Sequence, residues 1–189
     1  MFTRTDRLFL RPVFEEDWRS IHDGLSDPQV VRMLSNAPWP YQAEHAREFV
    51  KRPQDPFFPR FAITLPDEKG APLIGHVALT LHEDGPEIGY WIRRDRWGQG
   101  YASEAGEGLL NVARMLGHKQ VYGGHYLDNP ASGRVLQRLG FQRTGVLRKL
   151  ASKGRGGEAA PAYRYVRTLN PTGAPEDFPD ASDSQMRAA

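Results

Sequence analysis

Hydrophobic and polar positions alternate with two different periods along the chain, and these periods predict its strands and helices. An apolar residue at every second position is typical of a half-buried strand, whereas spacings of three and four are typical of an amphipathic helix. Alternation predicts strands at residues 8–11, 57–65, 73–81, 87–92, 121–127, 141–150 and 162–169. Helical spacing predicts helices near residues 15–25, 42–50, 100–117 and 129–140, with a short helical turn near residues 28–34.

The order of these elements predicts an α+β fold in one domain. Antiparallel strands are joined by short turns, but a parallel pair needs a crossover, which is usually a helix. A helix separates strand 87–92 from strand 121–127, so these two are expected to be a parallel pair in a mixed, mostly antiparallel sheet of six or seven strands with about four helices. We expect the domain to span residues 1–170. Residues 171–189 are acidic, rich in proline and poor in apolar area, which predicts a disordered tail.

Composition narrows the classes of function. The chain has 189 residues, of which 39% are hydrophobic, and this is enough for one core. The absence of cysteine excludes disulfides, a thiol nucleophile and cysteine-ligated zinc. The net charge of +2 does not indicate a nucleic-acid partner, and no apolar run approaches the roughly 18 residues that a membrane span needs. We therefore expect a cytoplasmic protein with neither a nucleic-acid nor a membrane partner.

A glycine loop follows the predicted strand 87–92 directly and leads into a predicted helix. Residues 97–105 read W-G-Q-G-Y-A-S-E-A. The first turn of a helix leaves about four backbone N–H groups without partners, and the helix dipole adds positive charge there. Gly98 and Gly100 lack a Cβ, so either can take a positive φ and an anion can approach the main chain closely. Together with the nearby Arg93, Arg94 and Arg96, the loop is predicted to bind a pyrophosphate.

A tight strand-to-helix turn is the alternative interpretation of the two glycines, because such turns often use glycine for geometry alone. The two common nucleotide motifs do not fit. The P-loop motif is absent, because no glycine loop ends in lysine followed by serine or threonine. The dinucleotide fingerprint G-x-G-x-x-G is also absent, because its third glycine is missing after Gly100.

Four motifs in the same order and spacing carry a family resemblance that extends from about residue 5 to 150. They lie at residues 5–12, 87–92, 97–102 and 129–141. With them the chain resembles the GNAT superfamily of acetyltransferases and is most similar to the RimJ/RimL-like branch of ribosomal-protein-alanine N-acetyltransferases. The superfamily's acetyl-CoA loop is written Q/R-x-x-G-x-G/A. Residues 97–102 match it, except that Trp97 replaces the opening Gln or Arg.

The resemblance implies an α/β/α-layered fold in which the central parallel strands splay apart around acetyl-CoA as the cosubstrate. An acetyl group then passes directly to a primary amine, which is either a protein N-terminal α-amine or a small amine. Gly89 is expected either to form a bulge that frees an N–H for the developing oxyanion or to relieve crowding. The resemblance implies cofactor contacts from Ile88, Tyr90, Trp91, Ile92, Trp97, Gly98, Gln99, Gly100, Tyr101, Ala102, Asn129 and Ser132.

The resemblance also implies which residues take part in catalysis. The tyrosine that protonates the CoA thiolate in many relatives is replaced here by Leu136, and the resemblance moves this role to Ser132. Local bonding at the helix start is the alternative role for Ser132, as N-capping is for Asn129. Glu87 is a candidate base or orienting group, with simple exposure as its alternative. Glu104 lies in a first helical turn, where the dipole alone favours a carboxylate.

Other interpretations remain open. Six histidines lack metal-ligand spacing, so we expect no metal, and His76 and His125 are expected to be packing residues. The missing tyrosine allows a non-catalytic module that binds or senses acyl-CoA. The basic stretch at residues 143–155 allows ribosome or RNA binding. Loops 36–41 and 53–59 are expected to shape the acceptor pocket. The sequence does not decide whether the protein forms a homodimer.

Overall fold

A computed structural model describes residues 1–169, in which one mixed sheet carries helices on both faces. The strands are β1 (Thr3–Arg4), β2 (Phe9–Pro12), β3 (Arg60–Thr64), β4 (Leu73–His82), β5 (Gly85–Ile92), β6 (Gln120–Tyr126), β7 (Gln142–Ala151) and β8 (Ala159–Thr168). The helices are α1 (Trp18–Leu25), α2 (Pro28–Val31), α3 (Ala43–Val50), α4 (Tyr101–Met115) and α5 (Pro130–Arg138). The predicted tail, residues 171–189, lies outside the described residues.

The sheet has the strand order β1-β2-β3-β4-β5-β6-β8-β7. Neighbouring strands are antiparallel except β5 and β6, which are parallel. The pairing of β4 with β5 runs uninterrupted from Gly75 and Ile92 to His82 and Gly85. In contrast, β5 and β6 are joined through Glu87 and Tyr122 near their starts, and a gap opens beyond that pair. The prediction of a mixed sheet with a central parallel pair is confirmed.

Two hydrophobic cores cover the two faces of the sheet and produce α/β/α layers. Strand side chains alternate between faces. On β5, Ile88 and Ile92 join the core formed with α4 and α5, whereas Trp91 joins the core formed with α1, α2 and α3. Glu87 and Gly89 share the face of Trp91 by the same alternation. The residues of β5 therefore reach both helical layers.

The structure has eight strands and five helices in the described residues, slightly more than the pattern predicts. The two residues of β1 are too few to show alternation. The single turn of α2 begins at Pro28, and Asp27 caps it by accepting the N–H of Gln29 at 2.8 Å. Gly89 forms no bulge, because it pairs with Ala78 in uninterrupted register.

His76 is a buried packing residue of β4, as predicted, but its polar atoms are not all satisfied within the described chain as the prediction required. Its ring meets Phe49 edge-on with 5.1 Å between ring centroids, and its Nε2 has no hydrogen-bond partner among residues 1–169. Burial, with a smaller effect from the charge of Arg60, lowers the pKa of His76 from 6.5 to about 3. The imidazole is therefore neutral in the folded chain at neutral pH.

We expect the free energy of unfolding to fall as the pH drops from about 6.5 toward 3, because the unfolded chain binds a proton on His76 that the folded chain does not. This group contributes a slope of up to about 1.4 kcal/mol per pH unit in that window. Urea unfolding of the wild type and His76→Leu between pH 7 and pH 5 measures it. His82→Leu, an exposed histidine of the same strand, is the control. Equal slopes in the wild type and His76→Leu would contradict the prediction.

Candidate active site

The glycine loop lies between the end of β5 and the start of α4, as predicted. Gly98 and Gly100 have φ angles of +76° and +82°, in the left-handed region that favours glycine. Gly100 is also the N-cap of α4. A Cβ added at Gly98 would meet no atom within 4 Å, so the main chain there is open to a ligand. Turn geometry requires both glycines, and it also leaves the helix N-terminus accessible.

Side chains on both sides hold this loop in place. The indole Nε1 of Trp97 donates to the Ile92 carbonyl at 2.7 Å. From the N-terminal segment, Arg7 donates to the Gln99 carbonyl at 3.1 Å, and its guanidinium lies 4.6 Å from the Tyr101 ring centroid. These contacts fix the position of the loop relative to β5 and the N-terminal segment.

Glu104 braces the loop rather than facing the cleft. Its carboxylate accepts bonds from the Thr5 hydroxyl at 2.6 Å and from the Arg7 backbone N–H at 2.8 Å, and it pairs with the Arg7 guanidinium. Partial burial raises the pKa of Glu104, but these bonds outweigh it and hold the pKa below the usual value. Glu104 therefore has a structural role that ties the N-terminal segment to α4.

The first turn of α4 presents a polar atom without a partner. The Ser103 hydroxyl is buried and has no hydrogen-bond partner among the described residues, although Ser103 lines the cleft. A buried hydroxyl without a partner is costly, so such an atom marks a place where a ligand oxygen would be favourable. The pattern analysis did not single out Ser103.

The three arginines expected near the phosphates are bound to carboxylates. Arg93 pairs with Asp95 at 3.1 Å, and Arg94 pairs with Asp27 at 3.4 Å. Arg96 binds Glu68 through two nitrogens, at 2.8 and 3.0 Å. Of the three, Arg96 alone lines the cleft. The expectation that Arg93 and Arg94 bind phosphate is therefore wrong, since both are held on the α1–α2 side of the loop.

A cleft of about 630 Å³ runs from the glycine loop into the gap between β5 and β6. Its walls include residues of α4 and α5 on one face of the sheet and residues 30 and 33–35 on the other. The cleft therefore passes through the split sheet. Among the predicted site residues, Glu87, Ile88, Tyr90, Trp91, Ile92, Trp97, Gly98, Gly100, Tyr101, Ala102, Asn129 and Ser132 line it, and Gln99 does not.

The start of α5 carries the predicted proton donor. Asn129 caps the helix by accepting the Ser132 backbone N–H at 3.2 Å, and Pro130 occupies the first turn. The cap uses only the backbone of Ser132, which leaves its hydroxyl free to bond the Tyr90 hydroxyl at 2.8 Å. Burial raises the pKa of Tyr90, and its bond with Ser132 offsets this only in part. Tyr90 is thus a protonated phenol at neutral pH.

Leu136 and His125 are the two other residues near the start of α5 for which the sequence suggested a role. Leu136, at the position of the missing tyrosine, is buried, and its side chain fills the space that a Cβ on Gly123 would need. His125 lines the cleft, but both ring nitrogens have partners: the Tyr126 carbonyl at 2.8 Å and the Tyr165 hydroxyl at 3.3 Å. His125 is therefore a hydrogen-bonded wall residue.

Glu87 lies in the gap between β5 and β6 and is ion-paired. Its carboxylate accepts a bond from Arg164, which also bonds Asp84 at 3.2 Å. The side chain of Arg164 is only 11% exposed, so the pair is shielded from water. Glu87 is therefore neither a free base nor a freely exposed carboxylate, because Arg164 already occupies its carboxylate.

The far end of the cleft lies on the α2 side of the sheet and has one charged group. It is lined by Val30, Met33, Leu34, Ser35, Tyr126, Asp128 and Leu150. Asp128 accepts two bonds from Arg155, at 2.9 and 2.8 Å, and one from Arg32 at 2.6 Å. The bond from Arg155 is the main reason that the pKa of Asp128 is lowered.

The β7–β8 hairpin, rather than loops 36–41 and 53–59, walls this end. Its turn is tied to the segment after α2, since the Ser152 hydroxyl donates to the Leu34 carbonyl at 2.7 Å and the Lys153 N–H donates to the Ser35 carbonyl at 2.9 Å. No residue of either loop lines this cleft, and the role of the loops in shaping the acceptor pocket stays a prediction. This contact joins segments more than 110 residues apart in the chain.

The described part of the chain has neither a metal-binding cluster nor a membrane-spanning helix. Within residues 1–169 there is no group of three or more His, Asp or Glu side chains arranged to hold a metal ion. In the same range, none of the helices combines the length and apolarity that crossing a bilayer requires.

The fold and cleft define an α/β protein in which a helix N-terminus meets a split sheet, and comparison with known proteins gives the family. The sequence model of the acetyltransferase (GNAT) domain matches residues 7–142. The uncharacterized N-acetyltransferase YoaA of Bacillus subtilis strain 168 is 33% identical over 150 residues, which cover 77% of this chain and 85% of YoaA. The chain therefore belongs to the GNAT family and is an acetyltransferase.

Solved structures agree on the fold. An acetyltransferase of the GNAT family from Bacillus anthracis has a TM-score of 0.74 and 25% identity, over 89% of this chain and 98% of that one. The ribosomal L7/L12 α-N-protein acetyltransferase RimL, solved in complex with coenzyme A, has a TM-score of 0.70 and 20% identity, over 89% of this chain and 98% of RimL. The likeness to RimL is one of fold.

Proposed function

We propose that the protein transfers an acetyl group from acetyl-CoA directly to a primary amine. The observation that carries this proposal is the continuous cleft, which joins the glycine loop to the Ser132 hydroxyl and then passes through the sheet to the α2 side. Phosphates and acceptor would thus approach from opposite faces. The complex of RimL with coenzyme A supports acetyl-CoA as the ligand.

The residues fit such a ligand. The backbone N–H groups around Gly98 and Gly100, with the Ser103 hydroxyl, would hold the diphosphate. The edge of β5 from Ile88 to Ile92, unpaired by β6 beyond Glu87, would hydrogen-bond the pantetheine arm as a strand would. Acetyl-CoA supplies the activated thioester, and the protein supplies alignment and a site for the developing negative charge.

Ser132 is the proposed donor to the departing thiolate, with Tyr90 as the group that positions it. The Tyr90 hydroxyl lies within hydrogen-bond distance of both the Ser132 hydroxyl, at 2.8 Å, and the Ser132 carbonyl, at 3.2 Å. When the phenol donates to the hydroxyl and not to the carbonyl, the serine proton is left for the sulfur. A phenol is protonated at neutral pH, and burial raises the pKa of Tyr90 further.

The acceptor loses one proton to water before it attacks, because α-amines titrate near pH 8. As the C–N bond forms and the C–S bond breaks, the nitrogen loses a second proton, which returns through water to Ser132, so that the products are the amide and the CoA thiol. Glu87, held by Arg164, would accept a hydrogen bond from the amine and orient it.

The acceptor is proposed to be a protein N-terminal α-amine or a small amine. The name of RimL, an α-N-protein acetyltransferase, supports the first. The partly apolar end walled by Met33, Leu34 and Leu150 suits an extended chain or a small molecule. Asp128 at this end and Glu87 at the start of the gap offer carboxylate oxygens as hydrogen-bond acceptors for the amine, beside the arginines that pair with them.

An acetyl-transfer assay tests the proposal. Acetyl-CoA is supplied with peptide N-termini, polyamines, amino acids or aminoglycosides, and thiol release is followed. We expect turnover with at least one class and none without an amine. Tight CoA binding without turnover on any class would instead favour a non-catalytic module that binds acyl-CoA. Absence of CoA binding in calorimetry would overturn the proposal.

We further propose that residues 1–170 are the catalytic domain and residues 171–189 a separate acidic tail. The supporting observation is that β8, the last strand along the chain, ends at Thr168. Limited proteolysis followed by mass spectrometry tests this. A stable fragment ending near residue 170 is expected, whereas simultaneous cleavage throughout the chain would contradict it.

A further inference from the structure

A pair of arginines on α5 forms a cationic surface that the glycine loop does not account for. Arg134 and Arg138 are four residues apart, so their side chains project from one face of the helix. Both are exposed and both line the cleft. Within residues 1–169, no carboxylate oxygen lies within 4 Å of either guanidinium, whereas Arg96 on the opposite wall is bound to Glu68 through two nitrogens. The two arginines are therefore the cations of the cleft available to an anion.

The arginines border a groove between α4 and α5. The two helices approach closely because Gly106 has no side chain: a Cβ there would lie 2.6 Å from Leu139. Ala102 of α4 and Val135 of α5 line the cleft between them and are partly buried. The groove thus has an apolar floor and a basic rim, and it begins at the first turn of α4, where the diphosphate is proposed to bind.

The chemistry of CoA determines what can lie there. From the diphosphate, the pantetheine arm leads toward Tyr90 and Ser132. The adenosine lies on the other side of the diphosphate and carries a phosphomonoester at its 3′ position. A phosphomonoester has close to two negative charges at neutral pH and oxygens that match the fork of a guanidinium. An apolar floor suits the adenine ring.

We propose that Arg134 and Arg138 form a subsite for the 3′-phosphate of CoA, so that the protein discriminates CoA from 3′-dephospho-CoA. This inference rests on the proposed function, because it assigns the second phosphate region of the same ligand. The diphosphate contacts would be made by main-chain groups and the Ser103 hydroxyl, which the two ligands would share. Discrimination between them then depends on the α5 arginines alone.

Calorimetric titration of the full chain with CoA and with 3′-dephospho-CoA tests the subsite. The wild type is expected to bind CoA about tenfold more tightly, and Arg134→Gln with Arg138→Gln is expected to bring the ratio of the two Kd values close to one. The matched control is Arg114→Gln with Lys119→Gln, which removes the same charge from positions that do not line the cleft. The control should keep the wild-type ratio. Raising the salt concentration should shrink the ratio in the wild type and the control.

The outcomes separate this inference from the proposed function. Equal affinity of the wild type for both ligands would overturn the subsite and leave CoA binding intact. The subsite would also be overturned if the α5 double variant keeps the wild-type ratio of the two Kd values. It would be overturned as well if the control variant loses that ratio to the same extent as the α5 double variant. Absence of binding by either ligand would overturn the proposed function, and the subsite with it.

Discussion

Replacing Ser132 by alanine is expected to lower kcat for acetyl transfer about a hundredfold or more, the effect typical of losing a positioned proton donor. The Kd for acetyl-CoA should change little, because the proposed diphosphate contacts are main-chain groups and the Ser103 hydroxyl, none of which the substitution removes. The fold should also persist, since Asn129 caps α5 through the backbone N–H of residue 132 and not through its hydroxyl. Steady-state kinetics and calorimetry on the same preparation measure the two quantities.

Tyr90→Phe is the matched variant, because it removes only the hydroxyl that bonds Ser132. If Tyr90 acts by positioning, kcat falls by about tenfold, less than in Ser132→Ala, and the Ser132→Ala change adds little to it in the double variant. A Ser132→Ala enzyme with wild-type kcat would assign the proton to water. Equal and additive losses in the two single variants would show that Tyr90 does not act through Ser132.

Gly75→Ala is expected to destabilise the protein by about 2–3 kcal/mol, with a fall in Tm of roughly 5–10 °C. A Cβ at Gly75 would lie 2.3 Å from the carbonyl oxygen of Trp91 and 2.9 Å from the Ile92 side chain. A backbone oxygen in a sheet cannot move aside cheaply, so β4 must shift away from β5. Thermal and urea unfolding of the variant measure the loss.

Gly89→Ala is the control for Gly75→Ala, because both glycines lie in the same pair of strands. A Cβ at Gly89 would meet no atom within 4 Å, so its effect on the free energy of unfolding is expected within about 0.5 kcal/mol. Because Gly89 lines the cleft, the added methyl group should instead raise KM for the acceptor. Similar destabilisation in both variants would show that the close approach at Gly75 is not the cause.

The parts of the site that the sequence predicts are local ones. The glycine loop depends on backbone angles and on a helix start that adjoin in the chain, and Gly98, Gly100 and the Asn129 cap all have the predicted geometry. The parallel pair is predictable for a similar reason, since the crossover helix follows strand β5 directly. These features need no knowledge of which distant segments meet.

The parts that the sequence does not predict depend on distant pairing. The arginines near the loop look like phosphate ligands until the fold brings Asp27 and Glu68 against Arg94 and Arg96. Glu87 looks free until β8 delivers Arg164 to it across the gap. The sequence did contain one signal for the basic surface on α5. Arg134 and Arg138 are four residues apart, which places them on a single face of a helix.

By itself the sequence determined the strand and helix periods, the left-handed glycines before α4 and the cap of α5, because each is settled by backbone conformation within a few residues. Only the tertiary structure decided which charges are free, which segment walls the far end of the cleft and where the cleft crosses the sheet. Those features depend on contacts such as Ser152 with Leu34 and Glu87 with Arg164, which join residues far apart in the chain. An ionised side chain takes its partner from whatever the fold brings within a few ångströms, and no local pattern records that choice.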